Sequence, residues 1–330
     1  MHRRDLEALE KIFGREHPDT LTSVSNLGSV LESQGKYDEA EAMHRQALEG
    51  KEKILGQEHP DTLTSASNLG IVLERQGKYD KAEAMHRRDL EVSEKILGRE
   101  HPDTLTSVSN LGSVLESQGK YDEAEAMHRQ ALEGREKVLG REHPNTLTSI
   151  SELGIVLERQ GKYDKAEAMY RRALEGKEKV LGREHPNTLI SINNLGIVLE
   201  RQGKYKEAEA MHQRDLKGSE KALGREHPHT LTSVSTLGMV LSSQGKYNEA
   251  EVMYQRALEG REKVLGQEHP ETLTSIYKLA ALFHQQHRYS AAVALYQRAY
   301  EGYIKVLGTQ HPITAECLHY YESALEHKEV

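Results

Sequence analysis

Apolar residues recur three and four positions apart along the chain, which is the pattern of helices that bury one face. Residues 60–75 show it clearly. The stripe there consists of Leu63, Ala66, Leu69, Gly70 and Leu73. The polar segment 76–78 interrupts the stripe, and a second one follows over residues 79–97. The pattern predicts two short helices joined by a tight turn, held together by packing because neither is long enough to be stable alone.

This pair of stripes repeats every 42 residues, as the prolines show. All eight prolines of the chain follow a histidine at that spacing: Pro18, Pro60, Pro102, Pro144, Pro186, Pro228, Pro270 and Pro312. Proline at the first position of a helix loses no hydrogen bond. A glycine three residues before each histidine is suited to end the preceding helix as a left-handed C-cap. The sequence therefore predicts an all-α array of helix–turn–helix units.

The repeats divide residues 1–330 into a single predicted solenoid. It begins with a partial repeat at 1–17 and ends with a capping helix at 312–330. Seven helix pairs lie between them, at 18–59, 60–101, 102–143, 144–185, 186–227, 228–269 and 270–311. The opening residues Met1–Glu7 recur as Met85–Glu91, in the middle of a predicted helix. We therefore expect this chain to be part of a longer protein with further domains upstream.

Composition narrows the classes of function. Charged residues make up 29% of the chain, and the net charge is −8. Such an acidic chain is unsuited to neutralising phosphates, so we expect no nucleic-acid partner. The longest apolar runs are far below the ~18 residues of a membrane span, and no secretory signal opens the chain. A single cysteine, Cys317, rules out an internal disulfide framework and suits a reducing, cytoplasmic location.

The recurring motif Asn-Leu-Gly…Gly-Lys-Tyr-x-x-Ala…Ala-Leu resembles the tetratricopeptide (TPR) repeat. The 42-residue length and the Leu-Gly-x-Glu-His-Pro-x-Thr linker are similar to those of kinesin light chains. In amino-acid sequence, residues 131–140 most resemble the C-terminal TPR arrays of fungal NOD-like (STAND) receptors. The resemblance implies a right-handed α-α superhelix, a TPR solenoid. It also implies a non-catalytic scaffold that binds protein, here the ligand-sensing region of such a receptor.

A kinesin light chain-like cargo adaptor is the alternative function, and an enzyme is a less favoured one. Glycines lie within most of the second helices, where kinesin light chains usually have a larger apolar residue, so the adaptor function is the weaker of the first two. These glycines are Gly50, Gly134, Gly176, Gly218, Gly260 and Gly302.

In TPR proteins the first helix of each pair lines the binding groove, and the resemblance implies the same for this chain. The groove candidates in three columns of that helix are Asn26, Asn68, Asn110 and Asn194; Ile71, Ile155 and Ile197; and Glu32, Glu74, Glu116, Glu158 and Glu200. A fourth column contributes Arg75, Arg159 and Arg201. The asparagines match those that bond a peptide backbone in the family, a task for which an amide offers both donor and acceptor.

A row of carboxylates beside apolar patches would suit a protein or peptide ligand of basic character. The other interpretation is that these charges solvate a helix face, since surface pairs are individually weak. The differences between repeats gather at groove positions, which either drift or selection of a binding face would produce. Residues 14–50 are identical to 98–134, which indicates a recent duplication of a two-repeat unit.

Eighteen histidines invite a metal or catalytic interpretation, and their positions argue against it. Eight belong to the His-Pro steps, where we expect the ring at a helix N-cap. Four others share a column that is tyrosine in other repeats: His44, His86, His128 and His212. That exchange predicts a packing role for a flat ring. Metal ligands converge on one point, whereas these histidines are spread along an array. We therefore predict no metal site and no cofactor.

Two aspartates, Asp89 and Asp215, replace an alanine at a packed position. Each follows a histidine by three residues, so the spacing allows a local ion pair or hydrogen bond, His86–Asp89 and His212–Asp215. A catalytic dyad would also need a nucleophile and a closed pocket. The chain also has no G-x-x-x-x-G-K-[ST] phosphate loop. We therefore predict a polar adjustment in the packing and no catalytic residues.

Overall fold

The computed structural model describes residues 2–309 and 311–328, and side chains from residue 6 onward. Within that part of the chain the regular structure consists of sixteen helices. They are α1 (His2–Phe13), α2 (Pro18–Ser33), α3 (Tyr37–Leu55), α4 (Pro60–Arg75), α5 (Tyr79–Ile96), α6 (Pro102–Ser117), α7 (Tyr121–Leu139), α8 (Pro144–Arg159), α9 (Tyr163–Leu181), α10 (Pro186–Arg201), α11 (Tyr205–Leu223), α12 (Pro228–Ser243), α13 (Tyr247–Leu265), α14 (Pro270–Gln285), α15 (Tyr289–Leu307) and α16 (Pro312–Lys328). The all-α prediction of paired helices is confirmed.

The chain forms two compact units, residues 1–169 and residues 170–330, which divide within α9. In the first unit each helix from α1 to α8 packs against the next one, and α2, α4 and α6 also contact one another in order. In the second unit the same holds from α10 to α16, and α14 also contacts α16. Each helix thus buries its apolar stripe between its neighbours in sequence.

The His-Pro step caps each first helix. At the start of α4, His59 has an extended backbone, and its Nδ1 accepts the N–H of Asp61 at 3.2 Å. The ring takes the part that Ser, Thr, Asp or Asn usually plays at an N-cap. Thr62 ties the helix to the preceding turn, because its hydroxyl donates to the carbonyl of Gly56 at 2.9 Å. The predicted N-cap role of these histidines is observed in the structure.

The glycine that ends each second helix differs in one respect from the prediction. At Gly56 φ is 87° as expected for a glycine cap, yet ψ is 165°. This conformation lies outside the left-handed helical region and is essentially open to glycine alone. The chain leaves α3 at this glycine and makes a turn to His59, whose N–H donates to the carbonyl of Gly56 at 3.5 Å.

The glycines inside the helices make room for side chains of the partner helix. A Cβ at Gly112 of α6 would lie 2.8 Å from Cε1 of His128, whose ring packs on the glycine from α7. In the opposite direction, Gly134 of α7 is covered by the side chain of Leu105 of α6. The first contact recurs with a histidine or tyrosine ring at Gly28, Gly70, Gly196 and Gly238, and the second with a leucine at Gly50, Gly218, Gly260 and Gly302. The glycine columns therefore follow from the close approach of the two helices of a pair.

Gly112→Ala is expected to destabilise the protein by about 1–3 kcal/mol, because the added methyl group overlaps the buried His128 ring. The gain in helix propensity of about 1 kcal/mol offsets part of this. Gly238→Ala is the matched control, since the nearest atoms of Tyr254 are 3.0 Å from the new Cβ and the overlap is smaller. Urea unfolding of both variants measures the difference, and equal stabilities would contradict the packing argument.

Candidate functional site

The predicted groove residues lie on the first helices. We call the face formed by the columns of Asn26, Ser29, Glu32 and Ser33 in α2, α4, α6 and α8 the first-helix face of the first unit. Asn26, Arg75, Arg159 and Arg201 are exposed, whereas Asn68, Asn110, Asn194, Ile71, Ile155, Ile197, Glu32, Glu74, Glu116, Glu158 and Glu200 are half-buried. Asn194, Ile197, Glu200 and Arg201 belong to α10 of the second unit.

The asparagines link neighbouring first helices. Nδ2 of Asn68 donates to the hydroxyl of Ser25 at 3.3 Å, and Nδ2 of Asn110 donates to that of Ser67 at 2.9 Å. Each bond crosses from one repeat to the one before it. The amide donor thus stabilises the array, and the amide oxygen is the group that each asparagine can offer to a ligand.

The glutamates also interact across repeats. Glu32 lies 3.8 Å from the guanidinium of Arg75, and Glu116 lies 3.8 Å from that of Arg159. Glu74 instead accepts a hydrogen bond of 2.8 Å from the hydroxyl of Ser117. Arginine and serine therefore alternate opposite these glutamates, so Glu74 faces a hydroxyl where Glu32 and Glu116 face a cation.

Neighbouring glutamates of the first unit affect the pKa of Glu116. Burial raises the pKa of Glu116, and Glu74, Glu152 and Glu158 raise it further, against the opposing effect of Arg159. Neighbouring carboxylates raise a pKa because the ionised forms repel each other. The middle of the first-helix face is therefore a region of negative potential.

The histidine column is buried in the pairs of helices. His86, His128 and His212 are 0%, 1% and 0% exposed. Burial lowers the pKa of each of these rings to about 4, so each is neutral at neutral pH. No hydrogen bond reaches either ring nitrogen of His86 or His212 within the described residues. The suggested pairs His86–Asp89 and His212–Asp215 are therefore wrong, because each ring packs on the glycine of its partner helix while the carboxylate lies elsewhere.

Both aspartates face the first helix of the following repeat. Asp89 is 3% exposed, and burial raises its pKa to about 6, against the effect of a hydrogen bond from Ser107 of α6. A cavity of about 320 Å³ adjoins it, lined by side chains of α4, α5 and α6 that include Asn68, Ile71 and Asn110. Sequence reasoning placed these three residues in the groove and missed the cavity between them.

No cluster of three or more potential metal ligands is found in the described ranges 2–309 and 311–328. His284 of α14 contacts the rings of Tyr289 and Tyr296. Among the helices of the same ranges, none combines the length and the apolar character that crossing a membrane requires.

Several solved structures have folds similar to that of this chain. A putative kinesin light chain of Podospora anserina with nearly identical TPR-like repeats is 26% identical, with a TM-score of 0.55 over 62% of this chain and 97% of that one. BtubC (BKLC) from P. vanneervenii is 23% identical, with a TM-score of 0.58 over 73% of this chain and 94% of that one. The second likeness shows the fold alone.

A STAND protein of Pyrococcus horikoshii, described as a signal transduction ATPase with a tetratricopeptide repeat sensor, has the same fold. It is 14% identical, with a TM-score of 0.66 over 92% of this chain and 43% of that one. This likeness, too, shows the fold alone. No curated protein matches the sequence.

The family model for the tetratricopeptide repeat matches overlapping segments along the chain. They are residues 1–53, 19–95, 61–137, 103–179, 145–221, 216–263, 229–305 and 272–328. Together with the paired helices, the small residues between them and the capped 42-residue repeat, these matches establish the family. The chain belongs to the tetratricopeptide repeat family.

Proposed function

We propose that the first-helix face of the first unit binds a basic segment of another protein, and that the chain acts as a non-catalytic scaffold in the cytoplasm. The observation that supports this most directly is the row of half-buried carboxylates Glu74, Glu116 and Glu158, in which burial, and to a lesser extent repulsion by neighbouring glutamates, raises the pKa of Glu116. A cation placed among Glu74, Glu116 and Glu158 would relieve that repulsion. The net charge of −8 favours the approach of a basic partner as well.

The spacing of the chemical groups on this face favours an extended ligand. Glutamate recurs in each of α4, α6 and α8, asparagine in α4 and α6, and isoleucine in α4 and α8, so a chain lying across these helices meets each group at least twice. Half-buried Ile71 and Ile155 offer apolar contacts between the carboxylates. A peptide that alternates basic and apolar side chains would match this arrangement.

Reversing three charges on the face should abolish much of this binding. The variant Glu74→Lys, Glu116→Lys and Glu158→Lys is expected to weaken binding at least about tenfold, because three attractive pairs become repulsive. The probe is a fluorescein-labelled peptide of alternating arginine and alanine, and the measurement is fluorescence anisotropy at low and at high salt.

The matched control is Glu49→Lys, Glu91→Lys and Glu133→Lys, which makes the same change in net charge at exposed positions of the second helices. It is expected to bind nearly as tightly as the wild type. Equal affinities of the two triple variants would contradict the proposal, because net charge and not the first-helix face would then govern binding. Circular dichroism checks that both variants are folded.

We further propose that this array is the ligand-sensing region of a STAND-type receptor of the fungal NOD-like kind. The sequence resemblance and the likeness to an archaeal STAND protein with a TPR sensor support this role. A kinesin light chain-like adaptor is the second candidate, favoured by the similarity to the Podospora protein. Sequencing the transcript upstream of Met1 separates them: a phosphate-loop ATPase supports the receptor, and a heptad coiled coil contradicts it.

A further inference from the structure

Two positions four residues apart on the second helix vary together. In the full repeats, where the first is alanine, the second is a lysine or an arginine in all but the last; where the first is aspartate, the second is serine. The partial first repeat has Asp5 and Leu9 instead. The pairs are Ala47–Lys51, Ala131–Arg135, Ala173–Lys177 and Ala257–Arg261 in the one group, and Asp89–Ser93 and Asp215–Ser219 in the other. Residues four apart share one face of a helix. This face therefore contains either a long cation or a carboxylate, and not both.

In the first group the chain's own cation is buried between repeats. Arg135 is 6% exposed, and its guanidinium donates to Ser149 Oγ, to the carbonyl of Leu105 at 3.4 Å and to Thr106 Oγ1 at 3.3 Å. Arg261 repeats this arrangement with Ser275 Oγ at 2.7 Å and Thr232 Oγ1 at 3.3 Å. The fold thus provides a defined site for a guanidinium at the junction of two repeats.

In the repeat of Asp89 the same site is a cavity. Ser93 replaces the long cation there, and the cavity of about 320 Å³ is lined by Leu63, Thr64 and Ser107. These three residues are the equivalents of Leu105, Thr106 and Ser149, which hold the guanidinium of Arg135 one repeat later. The oxygen acceptors for a planar cation are therefore in place, and the volume is within the range of about 300–1,000 Å³ that is typical of ligand sites.

The charge of the cavity is negative. Besides Asp89, the cavity is lined by Asp103, whose equivalents Asp61 and Glu271 lie beside the chain's own cations: Lys51 donates to the carbonyl of Asp61 at 3.4 Å, and Arg261 lies 3.1 Å from the carboxylate of Glu271. Neither Asp89 nor Asp103 forms an ion pair with a lysine or arginine among the described residues.

Ser107 gives Asp89 little compensation. Its hydroxyl has a single proton, which it also directs to the carbonyl of Asp103 at 3.2 Å. A buried carboxylate without a cation is unfavourable, and its neutralisation by a ligand would release that free energy.

We propose that this cavity, with Asp89 at its base and Asp103 at its rim, binds the guanidinium or ammonium group of an arginine or lysine side chain of a protein ligand. The incoming cation takes the place that Arg135 occupies in its own repeat. Asn68, Ile71 and Asn110 line the same cavity, so the side chain enters from the first-helix face. This inference rests on the proposed function and specifies one point of contact within it.

The second aspartate site is different. Nε2 of His229 lies 3.8 Å from Oδ1 of Asp215, and His229 occupies the position that is Asp103 in the first unit. A ring of the chain therefore already faces this carboxylate, and the proposal is confined to Asp89.

The test compares two small probes of the same shape on the full chain. Nα-acetyl-arginine methylamide carries the cation, and Nα-acetyl-citrulline methylamide is its neutral counterpart. Saturation-transfer NMR titrations at pH 7.5 are expected to show the arginine probe binding at least about tenfold more tightly, the value of one charge-assisted hydrogen-bonded pair. Equal affinity for the two probes would overturn the proposal.

The variant Asp89→Ala with Ser93→Arg gives this repeat the Ala–Arg pair of its neighbour, so it should fold and fill the cavity with its own guanidinium. The preference for the arginine probe is expected to disappear in this variant. The reverse exchange, Ala131→Asp with Arg135→Ser, is expected to create a second, weaker site, because Asn145 stands at the position of Asp103. Retained preference in the first variant would overturn the proposal. The anisotropy experiment on the glutamates does not depend on this result, so failure of the cavity and failure of the face are distinguishable.

Discussion

Replacing the buried histidines His86, His128 and His212 by tyrosine is expected to make the protein markedly more resistant to acid. Each ring is buried and unprotonated in the folded chain, with a pKa lowered to about 4 from 6.5 by loss of contact with water. The unfolded chain therefore takes up protons that the folded chain does not. The free energy of unfolding falls as the pH drops from about 6.5 to about 4, by roughly 3 kcal/mol for each ring.

Tyrosine removes this proton uptake and fits the column. Tyr254 is buried in the same position of another repeat, where its ring packs against Gly238. The difference in stability between variant and wild type should therefore be small at pH 7.5 and large at pH 4.5. Urea unfolding followed by circular dichroism at the two pH values measures it.

A control variant replaces three water-accessible histidines at N-caps, His59, His101 and His227, by asparagine, which also caps helices well. It removes the same number of histidines from the chain and is expected to keep the pH dependence of the wild type. If the tyrosine variant also keeps the pH dependence of the wild type, burial of the histidine column does not govern acid stability.

Asp89→Asn is expected to stabilise the protein at neutral pH by about 3 kcal/mol. Asp89 lies in the same helix as His86, but its ionisation makes the protein less stable as the pH rises, whereas that of His86 makes it less stable as the pH falls. Burial raises the pKa of Asp89 from 3.8 to about 6, so ionising this carboxyl disfavours the folded state. The protonated carboxyl of Asp89 gives its full contribution to the free energy of unfolding below pH ~4. This contribution is lost as the pH rises from about 4 to about 6. The neutral amide of asparagine avoids this loss and still accepts a hydrogen bond from Ser107.

The gain should therefore be present at pH 7.5 and absent at pH 4 in urea unfolding of variant and wild type. Asp61→Asn serves as the control, because this equivalent of Asp103 is exposed at the first turn of α4. A gain for Asp89→Asn that is the same at both pH values would show that shape rather than charge explains it.

Much of the fold could be predicted from the sequence because its determinants are local and repeated. The His-Pro step, the glycine cap and the apolar stripe each act within a few residues, and eight copies average out the ambiguity of any one. In the first helices, Gly28 and its equivalents leave space for a side chain of a neighbouring helix. The sequence could not show which side chain fills that space, since the ring of His44 comes from the other helix of the pair.

The candidate site was less predictable because its contacts join different repeats. Asp89 was assigned to His86 by spacing along one helix, whereas packing turns the carboxylate toward Ser107 of the next repeat. Likewise, Glu74 accepts a hydrogen bond from Ser117, which lies 43 residues later in the sequence. One signal was present in the sequence, namely that serine follows aspartate where lysine or arginine follows alanine. Its meaning required the structure, which shows where the guanidinium of Arg135 is bound.

The central claim is that the first-helix face of the first unit receives a basic protein segment, and crosslinking tests it most directly. The probe is the arginine–alanine peptide with a photoreactive benzophenone at its centre, followed by trypsin digestion and mass spectrometry. Residues 54–75, with α4, and residues 89–95, within α5, form tryptic peptides that occur once in the chain, unlike those of the duplicated segments. We predict crosslinks in residues 54–75 of the wild type and none in residues 54–74 of the glutamate-to-lysine variant, in which Glu74→Lys adds a cleavage site; crosslinks confined to residues 89–95 and other second helices would contradict the account.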